Sequence, residues 1–249
     1  QPSLLTQFNS EWDTQYSSEQ RDEDINYWVE YLKNAPLHLP IPYSNSTEDK
    51  EDETYFFTLG KSLHNAVDAF CKQYQTTRFR LYSAVWLTVL NYFLQTDDLV
   101  LDHTLHLRPK NYQNLLGSFV NNLPIRVSMD TIQTFHELLD FIKENRHNEQ
   151  KHQKAIYTNI ISSLRNKKLL SETHELFNIG IDYPIRNHSL IFDFRDCNVS
   201  FYRQTLSRML GDICLVIEDD ELFSCSIRRL GTSTTKPIYL YPKTMLYNE

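Results

Sequence analysis

Glycine is scarce, with 5 among 249 residues, against an average of roughly 7% of positions. No G-x-G pair and no G-x-x-x-x-G-K run occurs. Dinucleotide and P-loop chemistry, which need glycine so that backbone amides can approach phosphates, therefore have no basis here. C-x-x-C, H-E-x-x-H and G-x-S-x-G are also missing, which removes the familiar zinc, metalloprotease and hydrolase-elbow signatures. The four cysteines, Cys71, Cys197, Cys214 and Cys225, read as reduced thiols of a cytoplasmic protein. The densest basic cluster is the short Arg165-Asn166-Lys167-Lys168, and the formal charge is −7. Phosphate-driven binding needs a concentrated cationic face, so no nucleic acid partner is expected. The longest apolar run, from Leu81 to Leu94, is broken by Ser83, Thr88 and Asn91. It is too short to span a bilayer, and no cationic-then-apolar leader opens the chain. A soluble protein without membrane contact is the expectation. Two further absences matter below. No two histidines are adjacent, and every glycine follows Leu or Ile, so no Asp-Gly pair exists.

What is present favours a substantial core, with 41% hydrophobic residues, 15 Tyr and 14 Phe. Ile25, Trp28, Val29 and Leu32 form one stripe of a short helix, which Pro36, Pro40 and Pro42 end in extended structure. The charge run within Ser44 to Thr54 reads as an acidic surface loop, and Tyr55 to Leu59 as a strand. Leu63, Ala66, Val67, Phe70 and Tyr74 mark a helix face. The next helix, Phe79 to Leu94, is apolar on most sides and should lie against a sheet. Leu99 to Leu107 alternates, with Leu101, His103 and Leu105 on one face and Asp102, Thr104, His106 and Arg108 on the other. A strand at Leu123 to Met129 follows, then a capping box at Thr134 and Glu137 with Phe135, Leu138, Leu139 and Ile142 behind it. Later strands are expected at Leu176 to Tyr183, Leu190 to Phe194, Ile213 to Ile217 and Leu222 to Ile227, the last two joined by an acidic turn. Helices and strands mix without strict alternation, which predicts a mixed-sheet α/β sandwich.

The histidines give no metal site. His103 and His106 sit on opposite strand faces, and His147 and His152 diverge around a helix. Asp102 and Arg108 lie too far apart along a strand to pair, so each needs another partner. Arg126, after Pro124, is a similar case, and a satisfied structural ion is the reading for these groups.

The segment Leu116-Gly117-Ser118-Phe119-Val120-Asn121-Asn122-Leu123-Pro124-Ile125-Arg126 resembles the G-x-F-x-N-x-x-x-x-R signature of the condensation domains of nonribosomal peptide synthetases. Tyr27-Trp28 through Ala35-Pro36 resembles that family's Y-W-x-x-x-L-x-x-A-P helix. Asp98-Leu99-Val100-Leu101 is similar to its D-x-V-x-G strand, Arg108-Pro109 to its R-P, and His152-Gln153 to the start of its H-Q-D-x-P-F motif. Asp102 stands where the family has Gly, and Lys154, Ile156 and Tyr157 replace D, P and F. The catalytic H-H-x-x-x-D-G has no counterpart in the chain.

The resemblance covers about residues 20 to 230 and implies one chloramphenicol acetyltransferase-like lobe, the C-terminal half of a V-shaped domain. It divides the chain into a lead-in helix and linker (1–40), an acidic loop (41–54), the sandwich (55–230) and a divergent tail (231–249). The implied reaction is amide formation, an acyl or peptidyl transfer in which a carrier-bound amine attacks a carrier-bound thioester. Each substrate rides on a phosphopantetheine arm of a partner carrier domain, and no cofactor binds the lobe directly. The missing N-terminal lobe would supply the catalytic motif, so this chain holds no catalytic residue and should be silent alone. Asn121 maps near the substrate channel or is a structural turn amide, while Arg108 and Arg126 serve as structural ions. A noncatalytic carrier- or partner-docking module, or the lobe of an epimerisation or cyclisation relative, remains open. Gln1-Pro2 without Met points to an internal cut, and apolar surface exposed by lobe separation would favour self-association.

Overall fold

A computed structural model of the chain describes residues 4–41, 53–116, 119–171, 176–183, 212–218 and 224–229. The expected strand at Leu190 to Phe194, the acidic turn beyond Glu218, most of the acidic loop and the tail lie outside these residues.

Six strands make one mixed sheet in the order β1-β6-β5-β4-β2-β3. They are β1 (Glu53–Thr58), β2 (Asp98–His106), β3 (Val120–Ser128), β4 (Ile179–Asp182), β5 (Ile213–Ile217) and β6 (Ser224–Arg229). β2, β4 and β5 run parallel at the centre, while β3 on one side and β6 and β1 on the other pair antiparallel. Parallel strands are covered on both faces, and this corrects the expected alternation of β2. Every residue from Leu99 to His103 is buried, so Asp102 does not face water.

The described residues form six helices: α1 (Leu4–Gln15), α2 (Ser18–Tyr31), α3 (Gly60–Gln73), α4 (Arg78–Leu94), α5 (Phe135–Lys151) and α6 (Tyr157–Asn166). Helix α4 begins where Thr77 caps the amide of Arg80 and ends at Gln95, whose φ is 52°. Helix α5 starts at the expected capping box, with Thr134 and Glu137 exchanging bonds. Two apolar clusters result. One joins α3, α4 and α5 to Leu99, Leu101, Ile125, Ile181 and Leu215. The other joins α2 and α6 to Val100, Leu123, Leu176 and Phe177. Successive residues of β2 thus serve opposite layers, which is the sandwich expected from the mixed pattern. Trp86 of α4 fixes the first layer to the sheet, because its indole N–H donates to the Gly180 carbonyl at 3.2 Å.

Several boundaries move. β3 begins at Val120, so Asn121 is a strand residue and not a turn residue. β4 is shorter than expected, and β1 starts at Glu53. Helices α1 and α6 were not foreseen. The α6 stripe rests on Ile160 and Leu164 alone among its fully buried residues, too brief a period to stand out in the sequence. No helix among the described residues is long and apolar enough to cross a membrane.

Candidate functional site

Asn121 lies on β3 opposite Leu105 of β2. Its side-chain amide donates to the carbonyls of Gln153 at 3.1 Å and Ala155 at 2.7 Å. Its carbonyl oxygen accepts the Tyr157 amide at 3.1 Å. Both donor hydrogens and an acceptor site are therefore committed, and the edge strand is tied to the turn that starts α6.

That turn is held from its other side as well. Trp28, fully buried, donates its indole N–H to the His152 carbonyl at 2.9 Å. The His152 ring lies 3.9 Å from that of Tyr27 in a stacked pair, and its Nδ1 is 2.8 Å from Asp24 Oδ1. Asp24 is only 1% exposed and also accepts from Tyr16 at 2.9 Å and Gln20 at 3.0 Å. Burial, reinforced by the Asp24 carboxylate, raises the Tyr16 phenol above its ordinary range. Sequence reasoning missed Asp24 and Tyr16. The one available signal was a carboxylate four residues before Trp28, on the buried side of α2.

The two arginines also hold backbone. Arg126 makes a two-pronged bond to Asp98, at 3.0 and 2.7 Å, and donates to the carbonyls of Tyr31 at 2.9 Å and Lys33 at 3.0 Å. The Tyr31 hydroxyl accepts the Arg126 amide at 2.9 Å, closing the outer edge of β3. Arg108 donates to the carbonyls of Tyr112 and Leu115, and its guanidinium sits 4.1 Å from the Phe119 ring centre. The three sequence-selected residues do not converge on one point. Arg108 shapes the 109–115 loop and Asn121 shapes the 153–155 turn. Between those segments and α1 lies a cleft of ≈ 300 Å³, lined by Trp12, Gln15, Leu107, Tyr112, Gln153 and Lys154 among others. The Lys154 ammonium lies 5.3 Å from the Trp12 ring centre and 5.5 Å from that of Tyr16, within cation–π range.

Asp102 is the second feature. It is 7% exposed, its Oδ2 accepts from Asn122 at 2.7 Å, and its Oδ1 has no partner among the described residues. Burial pushes its carboxyl up to about 7; the Asn122 bond opposes the rise and the Asp182 charge adds to it. His103 beside it is pushed down to about 3, by burial and then by the Arg146 charge, so the ring is neutral. Glu149 is likewise pushed up to about 7 by burial, against the pull of Arg146. The described residues contain no group of three His, Cys, Asp or Glu placed to hold a metal ion.

Comparison with known proteins places these features in context. A family model described as Condensation domain matches residues 3–208. The chain is 29% identical over 185 residues to nonribosomal peptide synthetase 4 of Gibberella zeae, covering 71% of this chain and 2% of that protein. It is 25% identical over 175 residues to gramicidin S synthase 2 of Brevibacillus brevis, covering 68% of this chain and 3% of that one. The chain thus spans a few per cent of these curated relatives. Among solved structures, the X-domain from teicoplanin biosynthesis matches with a TM-score of 0.69 at 15% identity, covering 91% of this chain and 52% of that one. The starter condensation domain of rhizomide synthetase matches at 0.62 and 17% identity, covering 95% and 52%. At such identities the solved structures speak for the fold.

Two outcomes follow. Asn121→Ala should lower unfolding stability by about 1–3 kcal/mol, the cost of leaving buried polar partners unpaired. Asn121→Asp should cost more, because a carboxylate would face two carbonyls; denaturant unfolding measures both. For Asp102, the folded value lies above that of the unfolded chain. Its contribution to stability is full below about pH 4 and is lost as pH rises through about 7. The loss is of the order of 4 kcal/mol. Asp102→Asn keeps the Asn122 bond and should flatten the fall in stability between pH 4 and 7, leaving the part due to Glu149. An unchanged slope would assign the titration elsewhere.

Proposed function

Since this chain belongs to the condensation-domain family of nonribosomal peptide synthetases, we propose that it forms the C-terminal half of such a domain and one wall of its substrate channel. The observation that carries the reading is coverage: nearly all of this chain superposes on about half of the teicoplanin X-domain and of the rhizomide starter condensation domain. The absent His-His and Asp-Gly pairs support it from the sequence side. In this reading the base that assists amine attack on the thioester belongs to the N-terminal lobe. The work of this lobe is to shape and seal the path.

The residues present suit that division. The cleft between α1, the 107–112 segment and Gln153-Lys154 is the part of the wall this chain contributes. Asn121 acts as a channel-wall residue through the turn it holds, and Arg108 fixes the opposite rim. Arg126 keeps the β3 edge closed. Phosphopantetheine arms of carrier domains would bring the substrates, in a cytoplasmic assembly line, and no group binds the lobe permanently.

A second reading is favoured by one neighbour. The teicoplanin X-domain is also solved as a complex with OxyB, with a TM-score of 0.62 to this chain. By analogy the lobe would dock a partner protein without catalysing condensation. Activity separates the two. The 249-residue chain alone should form no amide from carrier-bound donor and acceptor thioesters. Product should appear when it is joined to an N-terminal lobe carrying the histidine motif. Turnover by the chain alone would overturn the division of labour, and no turnover by the joined domain would favour docking.

A further inference from the structure

Helix α4 opens with two arginines in its first turn, and among the described residues only Arg78 has a carboxylate partner. Arg78 donates from Nε and Nη2 to the two oxygens of Asp68, at 2.7 and 2.8 Å. Arg80, two residues on, has no carboxylate or carbonyl for its guanidinium among the described residues; only its backbone amide is bound, to Thr77. Burial, and then the Arg146 charge from α5, pull the Arg80 guanidinium below its ordinary value. Among the described residues Arg146 pairs with Glu149 at 3.3 Å, and that buried carboxyl is itself pushed up to about 7. Arg80 is thus half-buried without a carboxylate on its guanidinium among the described residues, and a half-buried guanidinium gains from an anion that can reach it.

An open cleft of ≈ 690 Å³ adjoins Arg80. Lys143, His147 and Asn148 of α5 line its other side, with Lys143 and His147 one turn apart on a common face. Asp140 and Glu144 also stand at this cleft, and Asp140 faces His136 at 3.6 Å. Those two acids disfavour an extended polyanion, whose neighbouring charges they would repel. A single compact oxyanion carries fewer charges for those acids to repel, and a planar guanidinium such as that of Arg80 suits it through paired hydrogen bonds. The cleft shares no residue with the one beside Gln153 and Lys154.

We infer that this cleft is a binding site for a phosphate-type oxyanion, received by Arg80 and Lys143. The group could be a free phosphate or monoester, or the phosphodiester of a larger ligand; the chemistry of recognition is shared.

Isothermal titration of the 249-residue chain with inorganic phosphate, and separately with dimethyl phosphate, tests this at ionic strength held constant with sodium chloride. Saturable binding of at least one is expected. Binding of the dianion alone assigns a free phosphate or monoester, and comparable binding of dimethyl phosphate assigns a diester. Arg80→Gln should weaken binding roughly tenfold or more, and the exposed Lys143→Gln should weaken it several-fold, both with unchanged circular dichroism. Glu144→Gln should tighten it. Absence of saturable binding by either anion would overturn the site, as would unaltered affinity in folded Arg80→Gln and Lys143→Gln variants.

Discussion

The outer edge of β3 must be closed, and side chains close it. An edge strand carries backbone donors and acceptors that need partners. Here the Tyr31 hydroxyl takes the Arg126 amide, Arg126 reaches back to the Tyr31 and Lys33 carbonyls, and the Asn121 amide bridges to the turn before α6. Remove these and α2, the 152–157 turn and α6 lose their common anchor. The cleft wall at Gln153 and Lys154 depends on the same contacts. The signature segment that marks the family is thus a structural joint first.

Low dielectric decides the behaviour of the second group of residues. Asp102, His103 and Glu149 are each 7% exposed or less, and burial drives all three toward their neutral forms. Asp102 is notable because it falls at the glycine position of the D-x-V-x-G pattern that Asp98 to Leu101 resembles. A buried carboxyl on β2, paired parallel with β4 and antiparallel with β3, makes the centre of the sheet sensitive to pH where glycine would not.

Much of the fold was legible because the signals were local. Helix α4 is apolar on most sides, and the Thr134–Glu137 box announces α5. The sandwich followed from mixed periodicity, although β2 misled because a strand covered on both faces does not need to alternate. Helix α6 escaped notice for want of a long stripe. The site was less legible than the fold. The Asp24–His152 contact spans 128 residues, and no spacing rule joins groups so far apart. That Arg80 has no carboxylate among the described residues was equally invisible, since the sequence shows which cations exist and not how they are paired.

The central claim is that this chain is one half of a working pair, and the mass of the native polypeptide tests it most directly. Mass spectrometry of the protein from its natural source should give an intact mass far above 29.6 kDa, with peptides upstream of Gln1 containing His-His and Asp-Gly. A native mass near 29.6 kDa, with no separate chain bearing that motif bound to it, would contradict the claim.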